Sequence, residues 1–162
     1  MNSQRIILFM MALFAFACQN DTVMDQTVSL SEHGWLQKNK LLLDFQIMDT
    51  SKTYDVRIAF RQSNEYPYYN LYFVPKILNS EGKVIKRAFA EAFLYDAKTG
   101  KPKGSGLGDM YSHQYTIFKG LRFTRQGKYQ VSLEQYMRTD TLKGMISAGA
   151  SIIENQANDG KN

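Results

Sequence analysis

Hydrophobic and polar side chains alternate along three segments of the chain. The clearest segment runs from Tyr54 to Arg61, and Leu41 to Ile47 and Tyr129 to Met137 repeat its two-residue period. Because successive side chains of a strand point to opposite faces, this period predicts β-strands with one buried and one solvated face. The buried face of the first segment would carry Tyr54, Val56, Ile58 and Phe60.

Further strands are predicted where short apolar or aromatic runs lie between turn-forming residues. These runs are 70–74, 84–95, 114–118 and 148–153, and turn signals lie at Ser80-Glu81-Gly82 and Thr99-Gly100. By helix propensity, residues 88–93 could form a helix. We favour a strand because residues 96–100 have the composition of a hairpin turn. Roughly seven or eight antiparallel strands predict an all-β fold, an antiparallel β-sandwich of jelly-roll type, with a closed barrel as the alternative.

Residues 1–18 have the layout of a lipoprotein signal. Arg5 precedes an apolar run from Ile6 to Ala17, and small residues lead to Cys18, the only cysteine. About twelve apolar residues make a helix of about 18 Å, well short of the roughly 30 Å hydrocarbon layer, which disfavours a permanent membrane span. We therefore predict that 1–17 is a cleaved signal peptide and that Cys18 carries lipid. The alternative is an ordinary secreted protein with a chance cysteine there.

The mature chain has the length of one domain. Removal of 1–17 leaves 162 − 17 = 145 residues, enough for a single core. We expect a lipid-anchored tether at 18–28, a β-sandwich domain at 29–155 and a flexible tail at 156–162. One of the 20 Lys and Arg residues is lost and all 15 Asp and Glu remain, so the net charge is 19 − 15 = +4. The charges are scattered without a basic stripe, which argues against a nucleic-acid partner.

Residues that could carry catalysis are present, but their spacing matches no catalytic motif. The glycine-rich stretch 100–109 lacks the Gly-Lys-Ser/Thr ending of a phosphate loop, and no Gly-x-Ser-x-Gly occurs. His33 and His113 are the only histidines, which disfavours a zinc site. Four carboxylates could meet in the fold, but their spacing identifies no two of them as a catalytic pair. They are Glu91, Asp96, Asp109 and Glu134. We therefore expect no enzyme activity, no cofactor and no small-molecule substrate.

A cluster of tyrosines at 66–69 is the strongest candidate for a contact surface. Pro67 fixes a bend, and Tyr66, Tyr68 and Tyr69 crowd the start of a predicted strand after Arg61. Exposed tyrosines beside an arginine suit contact with protein or sugar, whereas the alternative is that they cap the sandwich and form local hydrogen bonds. Gln135 falls on a predicted buried face and needs hydrogen-bond partners, which Arg61 or the tyrosine loop could provide.

Several segments together resemble a known family. They are the signal ending in Cys18, Trp35 before the first predicted strand, Arg61 with Tyr66-Pro67-Tyr68 and Asn70-Leu71, the loop ending in Gly108-Asp109, and Gln135-Tyr136-Met137-Arg138 with Leu142 and Gly144. This combination is similar to the gliding motility lipoprotein GldH family of Bacteroidota. The resemblance implies a non-catalytic envelope lipoprotein needed for gliding and linked to the type IX secretion apparatus.

The resemblance also implies that the folded part binds other proteins of the gliding and secretion apparatus. The expected contact residues are Arg61, Tyr66, Tyr68, Asn70 and Arg138. The second candidate is a carbohydrate-binding module in which Trp35 and the tyrosines form a platform for sugar rings. The membrane would be reached through lipid on Cys18. Because Gln19-Asn20-Asp21-Thr22 lacks an acidic run, we expect the outer membrane with the protein facing the periplasm.

Overall fold

The computed structural model describes residues 21–155, and every regular element in this part of the chain is a β-strand. None of these residues forms a helix long and apolar enough to cross a membrane. The strands are β1 (Thr22–Ser29), β2 (Trp35–Leu36), β3 (Leu41–Ile47), β4 (Thr53–Ser63), β5 (Asn70–Asn79), β6 (Val84–Arg87), β7 (Ala90–Phe93), β8 (Ser105–Leu107), β9 (Met110–Leu121), β10 (Gly127–Gln135), β11 (Thr141–Leu142) and β12 (Met145–Asn155). The preference for a strand over a helix at 88–93 is confirmed.

The strands form a sandwich of two antiparallel sheets. The first sheet has the order β1-β12-β4-β9-β8, and the second has the order β3-β10-β5-β6, with β7 also paired to β5. If β6 and β7 count as one strand and the short β2, β8 and β11 are set aside, the orders are 1-8-3-6 and 2-7-4-5. That is the strand order of a jelly roll. The predicted β-sandwich of jelly-roll type is therefore confirmed, and the closed barrel is wrong.

The predicted alternation corresponds to the buried faces of the two sheets. In β3 and β4 every second side chain is buried, from Leu41 to Ile47 and from Tyr54 to Phe60. The middle of the core is aromatic: the ring of Phe60 lies 6.4 Å from Trp35 and 4.8 Å from Phe73. Trp35 has no exposed surface, and its Nε1 donates to the carbonyl of Asn39. The expected role of Trp35 in an exposed sugar platform is therefore wrong.

The sandwich has two ends, which we call proximal and distal by their position relative to Asp21. The proximal end contains the start of β1 beside the end of β12, because Thr22 pairs with Ile153. It also holds the loops 48–52, 79–83 and 122–126. The distal end holds the loops 30–34, 64–69, 108–109 and 136–140. The eleven residues of β4 run from one end to the other, a distance of about 33 Å.

Two expectations need correction, and three lie outside the described residues. The segment expected to be a tether forms β1 from Thr22 onward, because β12 offers its backbone along the whole of Thr22–Ser29. Gln135 is satisfied locally, by donating to the carbonyl of Thr139 and accepting from the backbone N–H of Met137, and neither Arg61 nor the tyrosine loop takes part. The predicted signal peptide 1–17, the predicted lipid site Cys18 and the predicted flexible tail 156–162 fall outside 21–155.

Candidate functional site

All the exposed large aromatic side chains of residues 21–155 lie on the distal half of the sandwich. They are Tyr68, Tyr69, Phe89, Phe93 and Tyr136, with exposed fractions of 39%, 47%, 57%, 44% and 57%. We call this set the aromatic surface. Exposed aromatic side chains gathered on one surface are suited to binding a partner, because each ring can bury a large area at a small cost in conformational entropy.

An open groove of about 480 Å³ lies at the edge of the aromatic surface. Its walls come from the loop between β4 and β5, the loop between β7 and β8, and the start of β9. We call it the tyrosine groove because five tyrosines line it, together with Pro67 and Pro102; they are Tyr66, Tyr68, Tyr69, Tyr95 and Tyr111. The groove is therefore apolar along its rings and carries phenolic hydroxyls as hydrogen-bonding groups.

Tyr66 forms the fixed floor of the groove. It is 4% exposed, and its hydroxyl donates to the carbonyl of Asn70 at 2.7 Å. Burial raises the pKa of Tyr66, so the hydroxyl remains a donor. The turn at Gly144 presses against this loop: a Cβ there would lie 2.4 Å from the backbone nitrogen of Tyr66, and the φ of Gly144 is +73°. Only glycine fits both conditions.

Two stacks of rings cover the outer face of the second sheet beside the groove. Phe89 stacks on Tyr72 at 5.6 Å and meets Tyr136 edge to face at 5.4 Å. Tyr69 stacks on Phe93 at 6.2 Å. Tyr69 also lines the groove, so the groove is continuous with the Tyr69–Phe93 stack.

A carboxylate lies between the two stacks. Glu91 accepts a hydrogen bond from Nδ2 of Asn70 at 2.6 Å, and its hydrogen bond to Tyr72 raises the pKa of that phenol. The Nζ of Lys103 lies 5.6 Å from the centre of the Phe93 ring, within the range of a cation–π contact. The surface therefore combines apolar rings with one cation and one acceptor of hydrogen bonds.

The five residues predicted as contacts divide into three groups. Tyr66 and Tyr68 line the groove. Asn70 is 6% exposed and lies beneath the surface, where it fixes Tyr66 and Glu91. Arg61 is exposed on the outer face of the first sheet, opposite Ser112 and Ser147, and Arg138 is exposed in a distal loop; neither lines the groove.

Phe89, Phe93 and Tyr136 of the aromatic surface were not predicted, and neither were Tyr95 and Tyr111 of the tyrosine groove. A usable signal exists for the first two. In Ala88-Phe89-Ala90-Glu91-Ala92-Phe93 the alternate positions are alanine on one face and Phe, Glu, Phe on the other. The large side chains would then share the face with the charged one, which is the outer face. The pattern therefore indicates exposed phenylalanines.

The described residues offer little for catalysis. No group of three or more His, Cys, Asp or Glu within 21–155 could hold a metal ion. Glu134 is held by Lys76 and Lys40; burial works against its charge, but the two ammonium groups keep the pKa of its carboxyl below the ordinary value. His113 is 7% exposed on β9, and burial lowers its pKa.

The glycine-rich stretch 100–109 is a tight structural segment. A Cβ on Gly104 would lie 2.5 Å from the carbonyl oxygen of Ser112, and one on Gly106 would lie 2.2 Å from that of Met110. These glycines let β8 approach β9, as their alternate spacing indicates.

The sequence matches known proteins along most of its length. The sequence model of a family described as GldH lipoprotein matches residues 22–152. The chain belongs to this family. The gliding motility lipoprotein GldH homolog of Christiangramia forsetii is 31% identical over 156 residues, covering 91% of this chain and 92% of the relative. The gliding motility lipoprotein GldH of Flavobacterium johnsoniae is 24% identical over 157 residues, covering 90% and 93%.

Solved structures resemble this GldH-family chain only remotely. The infectious bursal disease virus VP2 subviral particle has a TM-score of 0.33 and 7% identity, and the virus Gt strain has 0.33 and 8%. The matches cover 85% and 86% of the GldH-family chain but only 31% and 35% of the viral chains. At this level of similarity they bear on neither its fold nor its function.

Proposed function

We propose that this GldH-family lipoprotein supports gliding motility, or the assembly or stability of the type IX secretion machinery, by binding other envelope proteins and without catalysis. Lipid on Cys18 holds it in the outer membrane, facing the periplasm. The aromatic surface, with the tyrosine groove, is the part that binds the partner. The names of the two relatives, both described as gliding motility lipoproteins, support the role in gliding motility.

The observation that carries the proposal is the convergence of the exposed aromatic rings on one half of the sandwich. Three loops contribute Tyr68, Tyr69, Phe89 and Tyr136, and β7 contributes Phe93. Yet Tyr69 stacks on Phe93 and Phe89 meets Tyr136. Interfaces are enriched in tyrosine and phenylalanine, and a few such rings carry most of the binding free energy. A protein that binds through them needs no reacting group.

Removal of two rings should abolish most partner binding. The Phe89→Ala/Tyr136→Ala variant is purified in lipidated form from cells. We expect the amount of envelope partner that co-purifies with it to fall about tenfold or more, because truncation of a central aromatic contact costs about 2 kcal/mol or more of binding free energy. Both side chains are 57% exposed, so the fold should survive. The amounts of co-purified proteins are measured by quantitative mass spectrometry.

The matched control is Leu42→Ala/Met48→Ala, which removes two exposed apolar side chains outside the aromatic surface, 55% and 69% exposed. It should retain the partner at the wild-type level. Equal loss of partner in both variants would assign the effect to general surface hydrophobicity. An unchanged partner in both would refute the aromatic surface as the binding site.

A carbohydrate-binding module is the second candidate function. The observation that favours it is the open tyrosine groove, because rings of this kind can stack against sugars even though Trp35 is buried. Binding of envelope glycans to the purified protein that disappears in Tyr68→Ala would favour this candidate. Retention of an envelope protein by that same variant, together with no glycan binding by the wild type, would exclude it.

A further inference from the structure

The folded domain begins close to the lipid site of the proposed function. Only Gln19 and Asn20 separate Cys18 from Asp21, the first described residue, so the two Cα atoms lie at most about 11 Å apart in any conformation. Because β1 starts at Thr22 and pairs with the end of β12, Asp21 lies at the proximal end. The proximal end of the sandwich therefore lies close to the lipid headgroups when Cys18 is acylated.

A cleft with a large excess of positive charge opens at this same end. Its volume is about 630 Å³, and it lies between the β5–β6 turn and the loop that joins β9 to β10. Its lining includes four cations and one carboxylate; these are Lys83, Arg122, Arg125, Lys128 and Glu81. All five are exposed, and within residues 21–155 none of the four cations is in an ion pair.

Three other carboxylates at the proximal end are already engaged. Asp55 accepts hydrogen bonds from the backbone of Gly120 at 2.9 Å and from Nδ2 of Asn155 at 2.7 Å. Glu154 pairs with Lys52. Asp49 accepts hydrogen bonds from Ser51. Glu81 is thus the one carboxylate that lines the cleft beside the four cations, and their excess charge is left to solvent or to an external anion.

Packing against the core fixes the backbone of the loop that carries Arg122 and Arg125. Between Arg122 and Arg125 the chain inserts Phe123, which is 3% exposed and lies 5.6 Å from Tyr54 and 4.6 Å from Tyr129. The hydroxyl of Tyr129 donates to the carbonyl of Arg125 at 2.8 Å. The loop is therefore fixed to the core, so the backbone that carries both arginine side chains has a defined position.

We propose that this basic cleft binds the phosphate groups of anionic lipid headgroups in the membrane that holds Cys18. The inference rests on the proposed lipid anchor and goes beyond it, because acyl chains alone leave the domain free to tilt. Cations near an anionic lipid surface are each attracted by it, and basic pockets hold phosphate-bearing headgroups. The contact fixes the orientation of the sandwich and directs the aromatic surface away from the bilayer.

The test uses the full lipidated chain, purified from cells and reconstituted in two kinds of vesicle, phosphatidylcholine alone and an equal mixture with phosphatidylglycerol. An uncharged amine-reactive reagent labels exposed lysines. Mass spectrometry measures the labelling rate of each lysine in protein recovered with the floated vesicles. On the mixed vesicles Lys83 and Lys128 should be labelled about fivefold more slowly. Lys98 and Lys101, in the distal half, should be labelled at the same rate on both.

Two arginine variants keep the reporter lysines. Arg122→Gln/Arg125→Gln should lose the protection of Lys83 and Lys128, while Arg61→Gln/Arg138→Gln, with the same loss of charge outside the cleft, should keep it. Equal labelling on the two kinds of vesicle would overturn the inference and leave the anchor standing. Equal protection by inorganic phosphate on phosphatidylcholine vesicles would overturn the assignment to lipid. A protein that floats with neither vesicle would overturn both the anchor and the inference.

Discussion

The Cys18→Ser variant is expected to lose stable attachment to the membrane. Each methylene buried in the bilayer contributes about 0.8 kcal/mol, so two or three acyl chains hold a protein firmly, whereas none leaves it free or unprocessed. Cys18 is the only cysteine of the chain, so no second thiol can take its place. Cell fractionation and incorporation of labelled palmitate measure the effect. We expect the wild-type protein to incorporate the label and the variant to incorporate almost none.

A second variant separates the position of the thiol from its mere presence. Cys18→Ser/Ser80→Cys carries one thiol in the exposed turn between β5 and β6. We expect it to behave as Cys18→Ser does, since the lipoprotein pathway modifies only the cysteine at the cleavage point. Palmitate recovered on Cys18→Ser at the wild-type level would refute the assignment of the anchor.

The Phe60→Ala variant is expected to lose a large part of the stability of the sandwich. Phe60 is 2% exposed and lies between the rings of Trp35 and Phe73, at 6.4 Å and 4.8 Å. Truncation of a buried phenylalanine costs about 3–5 kcal/mol through lost burial and the cavity that remains. Domains of this size are stable by only about 5–15 kcal/mol, so the variant should be partly unfolded or close to it.

The control for this prediction is the same change at an exposed ring. Phe89 is 57% exposed, so Phe89→Ala should change the free energy of unfolding by about 0.5 kcal/mol or less. Urea unfolding of the lipidated proteins in detergent, followed by circular dichroism, measures both. Similar midpoints for Phe60→Ala and Phe89→Ala would contradict the two-layer core centred on Phe60.

The strands with one buried face could be predicted because the two-residue period is a local property of the sequence. Leu41–Ile47 and Thr53–Ser63 alternate in side-chain chemistry as they do in burial. β1 escaped prediction because it is an edge strand with a polar composition. The outer face of β1 is solvated, and so is half of its inner face. The strand therefore forms because it pairs with the backbone of β12, and not because its side chains alternate between apolar and polar.

The candidate contact surface could be predicted only in part, because its residues come together through tertiary structure. The cluster 66–69 is contiguous and visible in the sequence. Tyr95 and Tyr111 reach the same groove because the β7–β8 loop and the start of β9 meet at the distal end. Arg61 is close to Tyr66 along the chain, but it points to the outer face of the first sheet. Proximity in sequence does not decide which face a side chain occupies.

Position 68 is the place where the central proposal, binding through the distal aromatic surface, is tested most directly. A photo-reactive amino acid in place of Tyr68 is crosslinked in living cells, with the same residue in place of the exposed Gln114 as control. Position 68 should capture another envelope protein, and position 114 should not. Capture of sugar polymers alone, of nothing, or of the same protein from both positions would contradict the proposal.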